Sequence, residues 1–383
     1  MRLRSVRETR YNQSMFMGFS KLYQDAFGLD VSDFTLKIAK LSQREGTKAL
    51  TSFGEYAVGE ELVKNGEVQN KDQLASTIIS ACQSVQGEPL GTPYVVASLP
   101  EEKAFLQVIQ LPRMERRQVR EALTFEAENY VPYPLETVYL DHEIVSPLKN
   151  HLDHLDILLA ALPKSTVDSY VAVLDQVGLI PIALEIESLA VLRAVIQNNT
   201  SPVPLLVADL GATRTSLSVF AGHSLRFTTS LQASSFGLTE AVAKYMGISL
   251  EEAEEKKRAY GLAFPEDKEG RNVFEALVPV LSDLAEHMRK YMEYYASHAQ
   301  HQHLVKEQSR VQRVMLCGGA ANLKGLPAWL ASALGVQVEL ANPWVNILPD
   351  RAQVIPTLHF EDSLRYATAL GLALRGIQPP SYD

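Results

Sequence analysis

The stretch Val207-Ala-Asp-Leu-Gly-Ala-Thr-Arg-Thr-Ser-Leu-Ser-Val-Phe220 sets a carboxylate, Asp209, two residues before Gly211 and close to the hydroxyls of Thr213 and Thr215. These residue types suit a metal-bound phosphate. Backbone N–H groups and hydroxyls donate to phosphate oxygens, and a carboxylate holds Mg²⁺ directly or through water. The same residues also make an ordinary hairpin, since Asp and Gly are common turn formers. The local pattern is a strand from Val207 to Leu210, a bend at Gly211 where no Cβ interferes, and an exit strand from Thr215 to Phe220.

Close to half a chain earlier, Phe27-Gly-Leu-Asp-Val-Ser-Asp-Phe-Thr-Leu-Lys-Ile-Ala-Lys-Leu41 repeats the layout. It has an apolar strand, Asp30, a turn at Ser32 and Asp33, then Thr35 and an alternating exit strand. A third stretch, Val311 to Pro327, runs a buried-type strand into Gly318-Gly319, with a helix from Pro327 to about Leu334. Adjacent glycines after a strand permit close approach by a flat or phosphorylated ligand, and they are also a common strand-to-helix turn.

The intervening chain must position these stretches. Lys48 to Val58 reads as a strand, Asn70 to Val85 as a helix with Leu74, Ile78, Ala81 and Val85 on one face, and Tyr94 to Leu99 as a buried strand. Hairpins, a helix and a strand begin an α/β layer. From Glu101 to about Ile182 the texture changes to strand (Phe105–Leu111), charged helix (Arg116–Tyr130), two strands (Val138–Val145 and Leu155–Leu162) and a helix from Ser165 to Gly178. That order reads as a small inserted α+β subdomain. Leu184 to Val195 reads as a helix, and Asn198 to Pro204 as a boundary. Beyond the second hairpin come helices at Leu238–Met246, at 251–257 behind the N-cap Ser249, and at Phe274 to about Ala299, whose apolar stripe is core. The strand Gln337–Leu340 and a last helix, Ser363 to Leu374, complete the pattern. His151 and His154, and His298, His301 and His303, lack a matching third ligand type and read as solvated rather than metal-bound.

At 383 residues the chain calls for two or more subdomains, and 46% hydrophobic with 21% charged residues is a globular composition. No apolar run approaches the ~20 residues that span a bilayer, and the basic start, with Arg2, Arg4, Arg7 and Arg10, lacks a signal-peptide core. That arm reads as a frayed terminus, with contact to an anionic membrane as the alternative. Two cysteines, Cys82 and Cys317, argue for a reducing compartment and against a disulfide framework or a Cys-based zinc site. A net charge of −9 gives no general attraction to nucleic acid.

Two phosphate-type hairpins and a late strand–Gly-Gly turn together resemble the actin/Hsp70/sugar-kinase ATPase fold, in which two related α/β halves clamp a nucleotide. Within it, Phe125-Glu-Ala-Glu-Asn-Tyr-Val-Pro-Tyr-Pro-Leu-Glu-Thr-Val-Tyr-Leu-Asp141, Glu185–Ala190, Asp209–Phe220 and Cys317–Pro327 resemble the PilM family of actin-like type IV pilus assembly proteins. The resemblance spans Phe27 to Gly376. It implies an actin-like (ribonuclease H-like) duplicated α/β fold, with a flexible arm at 1–26, a first half from 27–100 and 183–200, an insertion of the FtsA/PilM (SHS2) type at 101–182, a second half at 201–376 and a tail at 377–383.

The resemblance also implies roles. Asp30, Ser32 and Thr35 would serve phosphate at the first hairpin, and Asp209, Gly211, Thr213 and Thr215 at the second, with Asp30 and Asp209 holding Mg directly or through water. Gly318, Gly319, Ala320, Asn322, Glu254 and Lys257 would lie on the adenosine side, although surface ion pairing explains Lys257 equally well. Glu187, on the connecting helix, is the candidate for a catalytic role, with surface ion pairing an equal reading. Ser32 and Asp33 replace the D-x-G of many actin-like ATPases, so the expectation is ATP held as a structural or switching ligand, with slow or no hydrolysis. The implied protein is cytoplasmic and peripheral at the inner face of the cytoplasmic membrane. Its implied partners are the cytoplasmic tail of the inner-membrane protein PilN and other pilus components, with self-association open and nucleic acid excluded. The alternatives are an FtsA-like division or related secretion protein, a small-molecule kinase on the same fold and a nucleotide-free scaffold. The ending Gln378-Pro-Pro-Ser-Tyr-Asp383 is unlike FtsA's amphipathic terminal helix.

Overall fold

A computed structural model describes residues 25–44, 46–145, 154–263, 267–298, 310–348 and 356–377. Most of the basic arm, His151, His301, His303 and the residues after 377 lie outside them.

The first sheet grows from β1 (Phe27–Val31), which pairs antiparallel with β2 (Thr35–Arg44), itself antiparallel to β3 (Thr47–Ala57). A side hairpin of β4 (Val63–Lys64) and β5 (Glu67–Val68) leads to α1 (Lys71–Gln83). The side chain of Asn70 caps α1 by accepting from the Gln73 N–H, and its inner face buries Leu74, Ala75, Ile78 and Ala81. After β6 (Gln86–Gly87), β7 (Tyr94–Leu99) lies parallel to β1.

The insertion follows. β8 (Phe105–Pro112), α2 (Arg116–Tyr130), β9 (Val138–Val145) and β10 (His154–Pro163) make a three-stranded antiparallel sheet with β10 central. A capping box of Glu115 and Gln118 starts α2, which buries Val119, Leu123 and Ala127. Then α3 (Lys164–Val177), ended by Gly178 in the left-handed conformation, packs against α1.

The chain returns to the first sheet as β11 (Ile180–Ile186), parallel to β7, before α4 (Glu187–Val195) begins. Leu184–Val195 was expected to be all helix, but residues 184–186 are strand. Apolar residues at 180, 182, 184 and 186 alternate with a period of two, and the β7 edge offers them a partner.

The second half runs through β12 (Ser201–Leu210), β13 (Thr215–Gly222), β14 (Ser224–Leu231), α5 (Ser235–Met246), α6 (Leu250–Tyr260), α7 (Lys268–His298), β15 (Arg313–Cys317), α8 (Leu326–Leu334), β16 (Gln337–Leu340), α9 (Phe360–Ser363) and α10 (Ala367–Gly376). The expected boundary at 198–204 is already strand from Ser201. No strand was expected at 224–231, where Thr228, Thr229 and Ser230 dilute the apolar alternation.

The halves share one plan. The orders β3-β2-β1-β7-β11 and β14-β13-β12-β15-β16 each set three antiparallel strands beside two parallel ones. This is the duplicated α/β architecture expected of an actin-like fold. Between the two sheets lie α4 and α10. Val191, Leu192 and Val195 of α4 pack on Leu205, Val207 and Phe220 of the second sheet, and Leu370, Ala373 and Leu374 of α10 pack with Ala39 and Leu41 of the first. Although 201–376 was expected to be second half, α10 thus covers the first sheet. The two helices cross so closely that a Cβ on Gly371 would sit 1.8 Å from the Ala190 carbonyl oxygen.

Candidate functional site

Asp30 and Asp209 sit at corresponding strand ends, each just before its hairpin turn. Asp30 is 5% exposed, and its Oδ1 is buried with no hydrogen-bond partner. Burial raises its pKa, while Lys37, directly opposite on β2, and the Ser98 hydroxyl pull it back. Asp209 is pushed up to about 6, first by burial and then by Asp30 itself, with Lys37 and the Cys317 thiol opposing. The two hairpins converge: Asp209 feels the charge of Asp30, and Arg214 in the second turn lies 3.8 Å from Asp33 in the first.

Glu187 joins them as the first residue of α4. Its pKa lies well above the usual carboxylate range, because of burial and then Asp30, Glu102 and Glu101. The Glu101 N–H approaches its Oε2 at 3.4 Å.

Several residues here were not singled out from the sequence. Glu101, 3% exposed, is pushed up to about 7 by burial; the Thr228 hydroxyl donates to its Oε1, while Oε2 has no hydrogen-bond partner. Arg214 lies 3.1 Å from Glu102 and 3.8 Å from Asp33. Lys37 and Arg214 were legible as cations in or beside the hairpins. Nothing in the sequence marks Glu101 and Glu102, which follow the strand-ending Pro100.

The hydroxyls expected at phosphate are engaged locally. Ser32 donates to the Thr35 carbonyl oxygen (3.0 Å), Lys37 donates to Thr35 Oγ1 (2.5 Å), and buried Thr215 donates to the Ala233 carbonyl oxygen (2.7 Å). The Gly211 N–H closes its own turn on the Arg214 carbonyl oxygen, and Thr213 is half-buried beside it. On the expected adenosine side, Lys257 is buried and donates to the Ser235 carbonyl oxygen and hydroxyl and to Thr239 Oγ1, with Glu254 at 2.6 Å. The hydrogen bonds of this pair to Ser235 and Thr239 hold α5 and α6 together, and hydrogen bonds from Lys257, Thr239 and Arg258 outweigh burial to hold Glu254 down at about 2. Gly318, at φ +82°, donates to the Leu364 carbonyl oxygen; Gly319 and buried Ala320 follow, and Asn322 donates to the Glu361 carbonyl oxygen.

These residues fit a magnesium-bound phosphate. Asp30 Oδ1 is an oxygen in need of a partner, and two carboxylates raised by burial, Asp209 also by the charge of Asp30, are the set that a divalent cation neutralises. Gly318 comes so near that a Cβ would stand 2.4 Å from Asp209 Oδ1, leaving space only while no side chain is present. Among the described residues no helix is long and apolar enough to cross a membrane.

Known proteins share this fold. In a solved type IV pilus biogenesis complex of PilM with PilN, a chain 28% identical superposes with a TM-score of 0.75, covering 93% of this chain and 100% of that one. MreB5 of Spiroplasma citri, solved with ADP, superposes at 0.51 with 11% identity over 91% of this chain and 94% of its own, a likeness of fold. The cell division protein FtsA of Enterococcus hirae is 25% identical over 195 residues, 49% of this chain and 44% of FtsA, so less than half of that relative is spanned. The family described as type IV pilus assembly protein PilM matches residues 28–377. With the duplicated sheets and converging hairpins in place along that whole span, the chain belongs to the PilM family of type IV pilus assembly proteins.

Proposed function

We propose that this protein holds Mg-ATP between its two hairpins and uses the bound state to set its grip on the cytoplasmic tail of a PilN-like inner-membrane protein. It would act as a nucleotide-dependent scaffold or switch at the inner face of the cytoplasmic membrane. The observation that carries the reading is the unpartnered Oδ1 of Asp30 beside Asp209, in a cleft built by two sheets of one topology. Asp30 and Asp209 would hold the metal, whose chemistry is to neutralise phosphate charge. The hairpin turns at Ser32, Thr35, Gly211, Thr213 and Thr215 would face the phosphates, and Gly318 to Asn322, with the Glu254–Lys257 pair behind, would face the adenosine.

Holding rather than hydrolysis is supported by Glu187. Burial and three neighbouring carboxylates raise its pKa, so the nucleotide-free site resists forming the ionised base that would take a proton from water. The partner assignment rests on the solved PilM–PilN complex and its 93% coverage of this chain. The insertion is placed to transmit a change in the cleft: Glu101, which leads into it, meets Thr228 of β14, and Asp156 of β10 pairs with Arg226 of β14 at 2.8 Å.

Titration calorimetry with Mg-ATP on the wild type and on Asp209→Ala tests the reading. Binding by the wild type and its loss in the variant are expected, and no binding by the wild type would end the nucleotide claim. Anisotropy of a labelled PilN-type tail peptide, with and without Mg-ATP, tests the coupling; equal affinities would reduce the protein to a passive scaffold.

A further inference from the structure

Arg214 bridges the two hairpin turns. It lies in the β12–β13 turn of the second half, and its guanidinium reaches Glu102 Oε1 at 3.1 Å and Asp33 Oδ2 at 3.8 Å. Asp33 belongs to the β1–β2 turn of the first half. Beside this contact the rings of Phe34 and Phe236 meet with centroids 6.1 Å apart, and the Phe236 N–H is bonded to the Ala212 carbonyl oxygen. One cation and one ring pair thus join the two hairpin turns.

The hold on Arg214 is asymmetric. At 3.8 Å the Asp33 contact is beyond hydrogen-bond range. Asp33 also has other partners, because its carboxylate accepts from the Asn65 and Gly66 N–H groups at 3.1 and 3.0 Å and stays satisfied when the guanidinium leaves. Glu102 is penalised by burial, and Arg214 is the foremost group pulling its pKa back. A phosphate offers the planar guanidinium a better target, with two oxygens for two parallel N–H groups. It also needs one here: where many actin-like turns carry glycine, Asp33 sets a negative charge beside the entering anion.

We infer that Arg214 is the terminal-phosphate receptor of the clamp, exchanging Glu102 and Asp33 for the last phosphate of a nucleoside triphosphate and so distinguishing triphosphate from diphosphate. The inference rests on the nucleotide reading above and deepens it. Arg214 binds and positions, and no bond is made or broken.

The test is calorimetric binding of a non-hydrolysable ATP analogue and of ADP, each with Mg²⁺, to the wild type, Arg214→Ala, Arg214→Lys and Asp33→Asn, with melting curves as a control on folding. Arg214→Ala should lose about tenfold or more for the ATP analogue and less than about threefold for ADP. Arg214→Lys, which keeps the charge without the fork, should recover only part of the difference. Asp33→Asn, which removes a negative charge from beside the entering anion, should raise affinity for the ATP analogue. Equal losses for both nucleotides, or none, would overturn the inference and leave the nucleotide clamp standing. A wild type that binds neither nucleotide would defeat the clamp and the inference with it.

Discussion

Lys37 stands directly opposite Asp30 in the β1–β2 register, whereas the residue opposite Asp209 in the β12–β13 register is Ser216. Asp30 has a countercharge directly across its hairpin and Asp209 does not. Lys37 also touches Thr35 Oγ1 at 2.5 Å and lies 3.9 Å from Glu55. Lys37→Met keeps the buried stem and removes the charge, leaving Asp30 harder to ionise. Affinity for Mg-ATP should fall by about tenfold, measured by calorimetry, with the melting temperature moving by only a few degrees. Unchanged affinity would limit Lys37 to pairing with Glu55.

The cleft makes stability depend on pH in an uncommon direction. Glu101 at about 7 and Asp209 at about 6 are both raised by burial, and Asp30 and Glu187 are raised as well. A carboxyl raised on folding favours the native state below its unfolded pKa, and that advantage is lost as pH climbs through the folded value. Between about pH 4.5 and 7.5 the nucleotide-free protein should therefore lose stability as pH rises, by about 3 kcal/mol for Glu101 alone. Denaturant midpoints across that range check it, and Glu101→Gln should flatten the slope. Mg-ATP should also flatten it, because a cation favours the ionised acids. Below about pH 4.5, Glu185 and Glu254, both near 2, reverse the trend, since their native ionisation is lost as pH falls.

Glu185 is a different kind of buried acid. It is 1% exposed and paired with Arg193 and with Arg375 at 3.0 Å, so one carboxylate ties β11, α4 and α10 together. Despite burial, the two guanidinium groups hold it down at about 2. Glu185→Gln leaves two arginines short of a counterion at the middle layer and should cost about 3–5 kcal/mol. Chemical denaturation measures this, and a loss under 1 kcal/mol would mean that water replaces the carboxylate.

Gly318→Ala should damage the site more than the fold. The new Cβ would meet Asp209 Oδ1 at 2.4 Å and the Leu210 carbonyl oxygen at 2.5 Å, at a φ of +82° that side chains rarely adopt. Mg-ATP binding should disappear while helix and strand content by circular dichroism stays near wild type. Retained binding would show that Asp209 can move aside.

What the sequence made legible was local. Both aspartates, their turns and the Gly318–Gly319 bend follow from short patterns, and the strands and helices around them follow from periodicity. Glu101, Glu102 and Arg214 gain their meaning only when two distant segments meet, and no spacing along the chain announces that. The strand β11 was misread because Leu184–Val195 carries a helical pattern that the free edge of β7 overrides for its first three residues. Lys257 shows the converse. Its helix follows from the pattern behind Ser249, but only the fold shows its ammonium spent on Ser235, Thr239 and Glu254.

The position of α10 has a consequence for how the protein comes into being. Its residues seal β1 and β2, and a Cβ on Gly28 would stand 2.4 Å from the Ala369 carbonyl oxygen, so the first sheet is shaped for a helix encoded some 340 residues later. During synthesis the opening strands must wait, with one apolar face uncovered, until α10 leaves the ribosome. Nascent chains of this protein should therefore depend on chaperones until residue 376 has emerged, and a stop codon before residue 367 should yield a product that aggregates rather than a working first half.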